Sequence, residues 1–176
     1  LFFARRVIFV EGAAELMLVD VLATRAGFDL RGHGVSLISV EGLNFDSFLP
    51  LFGEGAMKIP VALITDADPQ APAEEGEEPQ ALYPGLGDAV RASDNTLNMR
   101  ALEDRYVQVF HGVKTLEYDL ALHADNREAM LAALNEMHPR IAVTLRAAVD
   151  EALDDRSKAR MLFSGMFERS SNNVQK

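Results

Sequence analysis

The sequence predicts an α/β fold: a mostly parallel four-stranded sheet flanked by helices, with a C-terminal helical extension. Three observations predict it. Short β-branched and aromatic runs alternate with amphipathic helical stretches through the first 110 residues. Those runs are apolar throughout rather than alternating, as strands covered on both faces are. After Phe110 only helical patterns remain.

The elements follow in order. Arg6–Val10 is the first strand, ended by Glu11 and Gly12. The stretch AAELMLVDVLATRAG puts Leu16, Val19, Leu22 and Ala23 on one helical face, and Gly27 stops it. Val35–Val40 is the second strand, and Asn44 caps a short helix through Phe45, Phe48, Leu49 and Phe52. Pro60 introduces the third strand, Val61–Thr65, which runs into Asp66, Ala67, Asp68 and Pro69. Residues 69–95 begin with a Pro, Gly and Glu-rich composition that buries little apolar area and reads as a mobile acidic loop. Ser93 or Asp94 caps a helix through Leu97 and Leu102, and Tyr106–Phe110 is the fourth strand. Four helical stretches follow, one of them stopped by Pro139, before a frayed tail SNNVQK. The expected division is a core over residues 1–123 and a helical subdomain over residues 124–176.

Composition narrows the function. The chain has 176 residues, 48% of them hydrophobic, enough for a sizeable core. A net charge of −10 excludes a basic DNA-coating protein. With no cysteine, thiolate metal sites, disulfides and a thiol nucleophile are excluded, so a metal must sit on oxygen or imidazole. No apolar run nears the ~20 residues of a membrane span, and the expected setting is soluble and cytoplasmic. The chain starts at Leu1 and enters a strand at once, as a piece of a longer protein would.

Ligands of open α/β sheets collect beyond the carboxyl ends of the strands. There the sequence places Glu11, then Glu15 four residues on and one helical turn away, and Asp66 with Asp68 after the third strand. If the backbone stays extended after that strand, the two aspartates point to one side. Four carboxylates are then expected above one edge of the sheet, where they would repel one another without a cation. All-oxygen ligation suits Mg²⁺ or Mn²⁺. Each acid also has a plainer reading, since Glu15 is favoured early in a helix by the macrodipole alone. The histidines His33, His111, His123 and His138 lack paired metal spacing and read as structural.

These residues resemble a known family. VIFVEG followed by Glu15, with LITDAD downstream, is similar to the Toprim domain, a Rossmann-like module of topoisomerases, DnaG-type primases and small nucleases. A third aspartate of topoisomerase type is replaced by Gln70. The VEGxxE form resembles the nucleases of the overcoming-lysogenization-defect (OLD) family, which join an ABC-type ATPase to a C-terminal Toprim nuclease. TLEYDL at residues 115–120 and SKARMLF at residues 157–163 are similar to further segments of that family, although Ala159 and Met161 depart from its pattern.

The resemblance implies metal-dependent hydrolysis of DNA, duplex or single-stranded, by two divalent cations, Mg²⁺ or Mn²⁺ with Ca²⁺ as a substitute. It implies Glu11, Glu15, Asp66, Asp68, Glu117 and Thr115 as metal ligands, Asp66 bridging. Lys158 then faces the scissile phosphate and shares catalysis with Glu15 and Asp66. As plainer readings, Thr115 is a helix N-cap and Lys158 a solvated lysine, with Arg160 in reserve. No G-x-x-x-x-G-K-[ST] occurs in the chain, so an ATPase partner is expected upstream, and a bacterial or phage-related origin is implied. A second copy of the chain is a further candidate partner. Lys114, Arg156, Lys158, Arg160 and Arg169 are the expected phosphate contacts. Competing readings are a haloacid-dehalogenase-type phosphatase, which wants D-x-D-G-[TV] after its first strand, a non-catalytic receiver-like Mg²⁺ module, and a Toprim scaffold without activity.

Overall fold

The computed structural model describes residues 4–42, 44–72 and 79–168. By internal packing the chain divides into two compact units, residues 1–66 with 93–111, and residues 67–92 with 112–176.

The first unit is the α/β unit. Its strands are β1 (Arg6–Val10), β2 (Val35–Ser39), β3 (Val61–Thr65) and β4 (Val107–His111), in the order β2-β1-β3-β4 and parallel throughout. Register aligns Val7, Val61 and Val107 in one row and Phe9, Leu63 and Val109 in the next, and all six are buried. Because side chains alternate along each strand, both rows fall on one face. Phe45, Leu49, Phe52 and Met99 complete the core there. The expected short helix after the second strand is two 3₁₀ turns, Asn44–Ser47 and Leu49–Leu51, Pro50 lying within the second.

Helix α1 (Ala13–Arg25) joins β1 to β2, and Gly27 takes the left-handed conformation that ends it (φ +82°). Its packing departs from expectation: none of its residues is buried, and Leu16 and Leu22 stand 38% and 45% exposed. Helix α2 (Asp94–Arg100) is capped by Ser93, whose side chain accepts the Thr96 N–H.

The second unit is helical: α3 (Leu116–Ala121), α4 (Ala124–Met137), α5 (Pro139–Glu151) and α6 (Asp155–Met166). Pro139 opens α5 at its first turn, where a missing N–H costs nothing. Tyr118, Leu131, Leu145, Val149, Leu162 and Phe163 form the core. Arg127 is buried among them because it has work for its charge. Nη1 donates to the Ala121 and Leu122 carbonyls at 2.9 and 3.0 Å, satisfying the end of α3, and Nη2 pairs with Asp155.

The arms of the acidic loop are pinned rather than mobile. Ala71 N–H donates to the Gln80 carbonyl and Leu82 N–H to the Pro69 carbonyl. Pro69 and Pro84 are fully buried. Composition misled there because Leu82, Tyr83 and the prolines supply the anchoring contacts. Residues 73–78, with the acidic run, and the expected frayed tail lie outside the described residues. Among the described residues no helix is long and apolar enough to cross a membrane.

Candidate metal centre

The carboxylate of Glu11, just past β1, is held from β3. Oε1 accepts the Thr65 hydroxyl and the Asp66 N–H, the latter at 2.9 Å. The Glu11 carbonyl accepts the Gly42 N–H at 2.8 Å and the Ser39 hydroxyl at 3.4 Å. Parallel pairing of β1 with β3 brings these groups together, and Thr65, only 5% exposed, is itself packed in place. Oε2 carries none of these bonds.

Glu15 behaves differently from a helical i,i+4 partner of Glu11. Helix α1 begins only at Ala13, and Glu15 Oε2 turns back to accept the Gly12 N–H at 3.0 Å, half of a capping box. Asp66 is fixed through its backbone: its carbonyl accepts the hydroxyl of Thr96, 1% exposed, at 2.7 Å.

In the helical unit, the backbone does not stay extended after Asp66. Asp68 takes φ +39°, a left-handed conformation rare for a side-chain-bearing residue, so the expected i,i+2 parity with Asp66 is broken. The N–H groups of Ala67 and Asp68 both donate to the Lys114 carbonyl, at 2.7 and 3.3 Å. Burial raises the pKa of the Asp68 carboxyl; Lys114 opposes that rise and Glu117 adds to it.

Thr115 is the N-cap of α3, its hydroxyl accepting the Tyr118 N–H at 3.4 Å. Asp119 folds back to accept the Val113 and Lys114 N–H groups at 3.0 and 3.1 Å, fixing the turn that carries Thr115 and Glu117. Lys114 is no surface phosphate contact: it is 5% exposed, with Nζ 4.6 Å from the Tyr83 ring centre. Lys158 is half-buried in the first turn of α6, between Arg156, paired with Asp88 at 3.7 Å, and Arg160, over the Tyr83 ring. Arg169 lies outside the described residues.

The donors are carboxylates and hydroxyls, a set whose chemistry fits a hard divalent cation. By count it is incomplete: among the described residues no three His, Asp or Glu side chains gather closely enough to hold one. Sequence reasoning missed Thr65 and Thr96. Their only signal was a hydroxyl residue adjoining the D-x-D and one at the start of a capped helix.

Residues 2–68 match the family model described as overcoming lysogenization defect protein-like, TOPRIM domain. None of the curated proteins compared with the chain matches it. Among solved structures, the chain is similar to the C-terminal region of the Xanthomonas campestris pv. campestris OLD protein: 24% identity, TM-score 0.61, over 96% of this chain and 82% of that one. It is also similar to the C-terminal region of the Burkholderia pseudomallei OLD protein, at 25% identity and TM-score 0.61, over 95% of this chain and 84% of that one. Residues 2–68 are thus a Toprim domain of the overcoming-lysogenization-defect type, and the chain as a whole has the fold of the C-terminal region of such proteins.

Proposed function

We propose that the chain is the DNA endonuclease part of a larger protein whose N-terminal part is an ABC-type ATPase, acting in the cytoplasm of a bacterial cell. The observation that carries the reading is Glu11. Its carboxylate stands at the carboxyl end of a parallel strand, one oxygen occupied by Thr65 and the Asp66 N–H, in the midst of the Toprim match. A carboxylate oriented by neighbouring donors is what a metal ligand requires.

Residues 1–123 would form the catalytic core and residues 124–176 the subdomain that brings Lys158. Glu11, Asp66 and Asp68 would hold one divalent cation, and Glu15, Glu117, Thr115 and Asp66 a second. Mg²⁺ or Mn²⁺, with Ca²⁺ as a substitute, would supply charge stabilisation for the attacking and leaving oxygens of a phosphodiester. For that role Glu15 must leave the Gly12 N–H and Thr115 must share its cap oxygen. Lys158 would place a fixed positive charge beside the scissile phosphate. A receiver-like reading is disfavoured, since it needs a lysine after a fifth strand and the described sheet has four.

The test is incubation with supercoiled plasmid and Mg²⁺, Mn²⁺ or Ca²⁺. Nicked and linear forms that chelator abolishes are expected. Release of phosphate from small phosphomonoesters with intact plasmid would overturn the reading in favour of a phosphatase.

A further inference from the structure

Helix α1 is apolar on the side where a surface helix normally carries charge. Ala13, Met17, Val21 and Thr24 follow one another at i, i+4, i+8 and i+11, all exposed and none charged. Leu18 and Leu22 flank this stripe, and Met17 is 67% exposed. Phe28, just beyond the helix, lines a groove of about 340 Å³ on the sheet together with Ile8, Ala62, Gln108 and Phe110. Ile8, Ala62 and Gln108 are paired in register, so this is the sheet face opposite the two buried rows. Phe28 and Phe110 are each about half exposed.

We propose that α1 and this groove form the interface between two copies of the chain related by a two-fold axis. Two arguments select a second copy as the occupant. The first is electrostatic: a two-fold contact lays a surface on its own image, so like charges would face each other, and this stripe has none. The second is area. Counting about 180 Å² for a fully exposed large side chain, the exposed fractions of Leu16, Met17, Leu18, Val21, Leu22, Phe28 and Phe110 leave about 600 Å² of apolar surface in water. That is at the upper limit of the largest patch on a typical monomer. With apolar atoms making up about 65% of a homodimer interface, it implies about 900 Å² per copy, and a standard stable interface needs about 800 Å².

Sedimentation equilibrium of the purified chain tests this. The expected species at about 100 µM is a dimer, twice the 19.3 kDa chain mass. Met17→Glu with Val21→Glu should weaken it at least about tenfold, because each charge meets its mate in a dry contact. The control Ile141→Glu, at an apolar position 52% exposed elsewhere, should leave it unchanged. If circular dichroism finds the double variant unfolded, the single Met17→Lys, at the more exposed position, is read in its place. A wild-type chain that is monomeric at about 100 µM overturns the proposal, as does a dimer that the α1 substitutions leave undiminished. Neither result depends on DNA cleavage.

Discussion

Replacing Thr65 with Val tests whether the Glu11 carboxylate is built to be held in one orientation. Valine keeps the β-branched shape that a 5% exposed strand position requires, so the change removes one donor and little packing. Glu11 Oε1 then keeps only the Asp66 N–H at 2.9 Å. A hydrogen bond to a charged group contributes about 1.5–3 kcal/mol. Glu11 is half-buried and water replaces part of the loss, so about 1–1.5 kcal/mol is expected from urea unfolding with an unchanged slope. If Glu11 also ligates a cation, losing the group that orients it should weaken Mn²⁺ binding by about 10–100-fold, read by titration calorimetry. The same substitution in a Glu11→Gln background should then do little further harm to binding, since the coupled partner is already gone. A folded Thr65→Val protein with wild-type Mn²⁺ affinity would refute the reasoning and leave the contact as a strand-end fastening.

Lys158→Ala should retain Mn²⁺ affinity and lose most plasmid cleavage; wild-type turnover would remove Lys158 from the mechanism. Tyr118→Phe removes a fully buried hydroxyl that donates to the Pro84 carbonyl at 2.9 Å and should cost about 1–2 kcal/mol in urea unfolding. Burial pushes the Tyr118 hydroxyl up to about 12 from 10.0, so its contribution is complete below pH 10 and lost as pH rises towards 12; Tyr118→Phe should flatten that alkaline decline. Asp104 and Asp154 are held below the usual carboxylate value of 3.8, Asp104 by the Glu54, Tyr106 and Val107 N–H groups and Asp154 by Ser157. Their stabilisation is present above pH 3.8 and lost as pH falls below it. Asp104→Asn or Asp154→Asn should therefore lower the melting temperature at pH 7 and converge on wild type in acid.

Much of the architecture was legible in the residues because strands and helices announce themselves by short-range patterns. Arg6–Val10 and Val61–Thr65 were read to the residue, and so was the choice of Ser93 as one of two caps. The identity of the acids was legible too, because a Glu and a D-x-D directly after strands are visible as letters. What the side chains of those acids do was not legible. Glu15 looked like a helical neighbour of Glu11, but spacing cannot show that Gly12 is the cap and that the carboxylate folds back to it. Asp68 looked like the extended partner of Asp66, and only the tertiary fold sets φ +39° there, through two N–H groups drawn to one Lys114 carbonyl.

By itself, then, the sequence determined the element order, the parallel α/β class and which carboxylates follow which strands. These depend on propensity and periodicity within a few residues. Tertiary structure decided the orientation of Glu11 from 54 residues away, the burial of Lys114 against Tyr83, and the exposure of the apolar side of α1. Each depends on a contact, or on the lack of one, between segments distant in the chain, and no local pattern encodes which segment will be there.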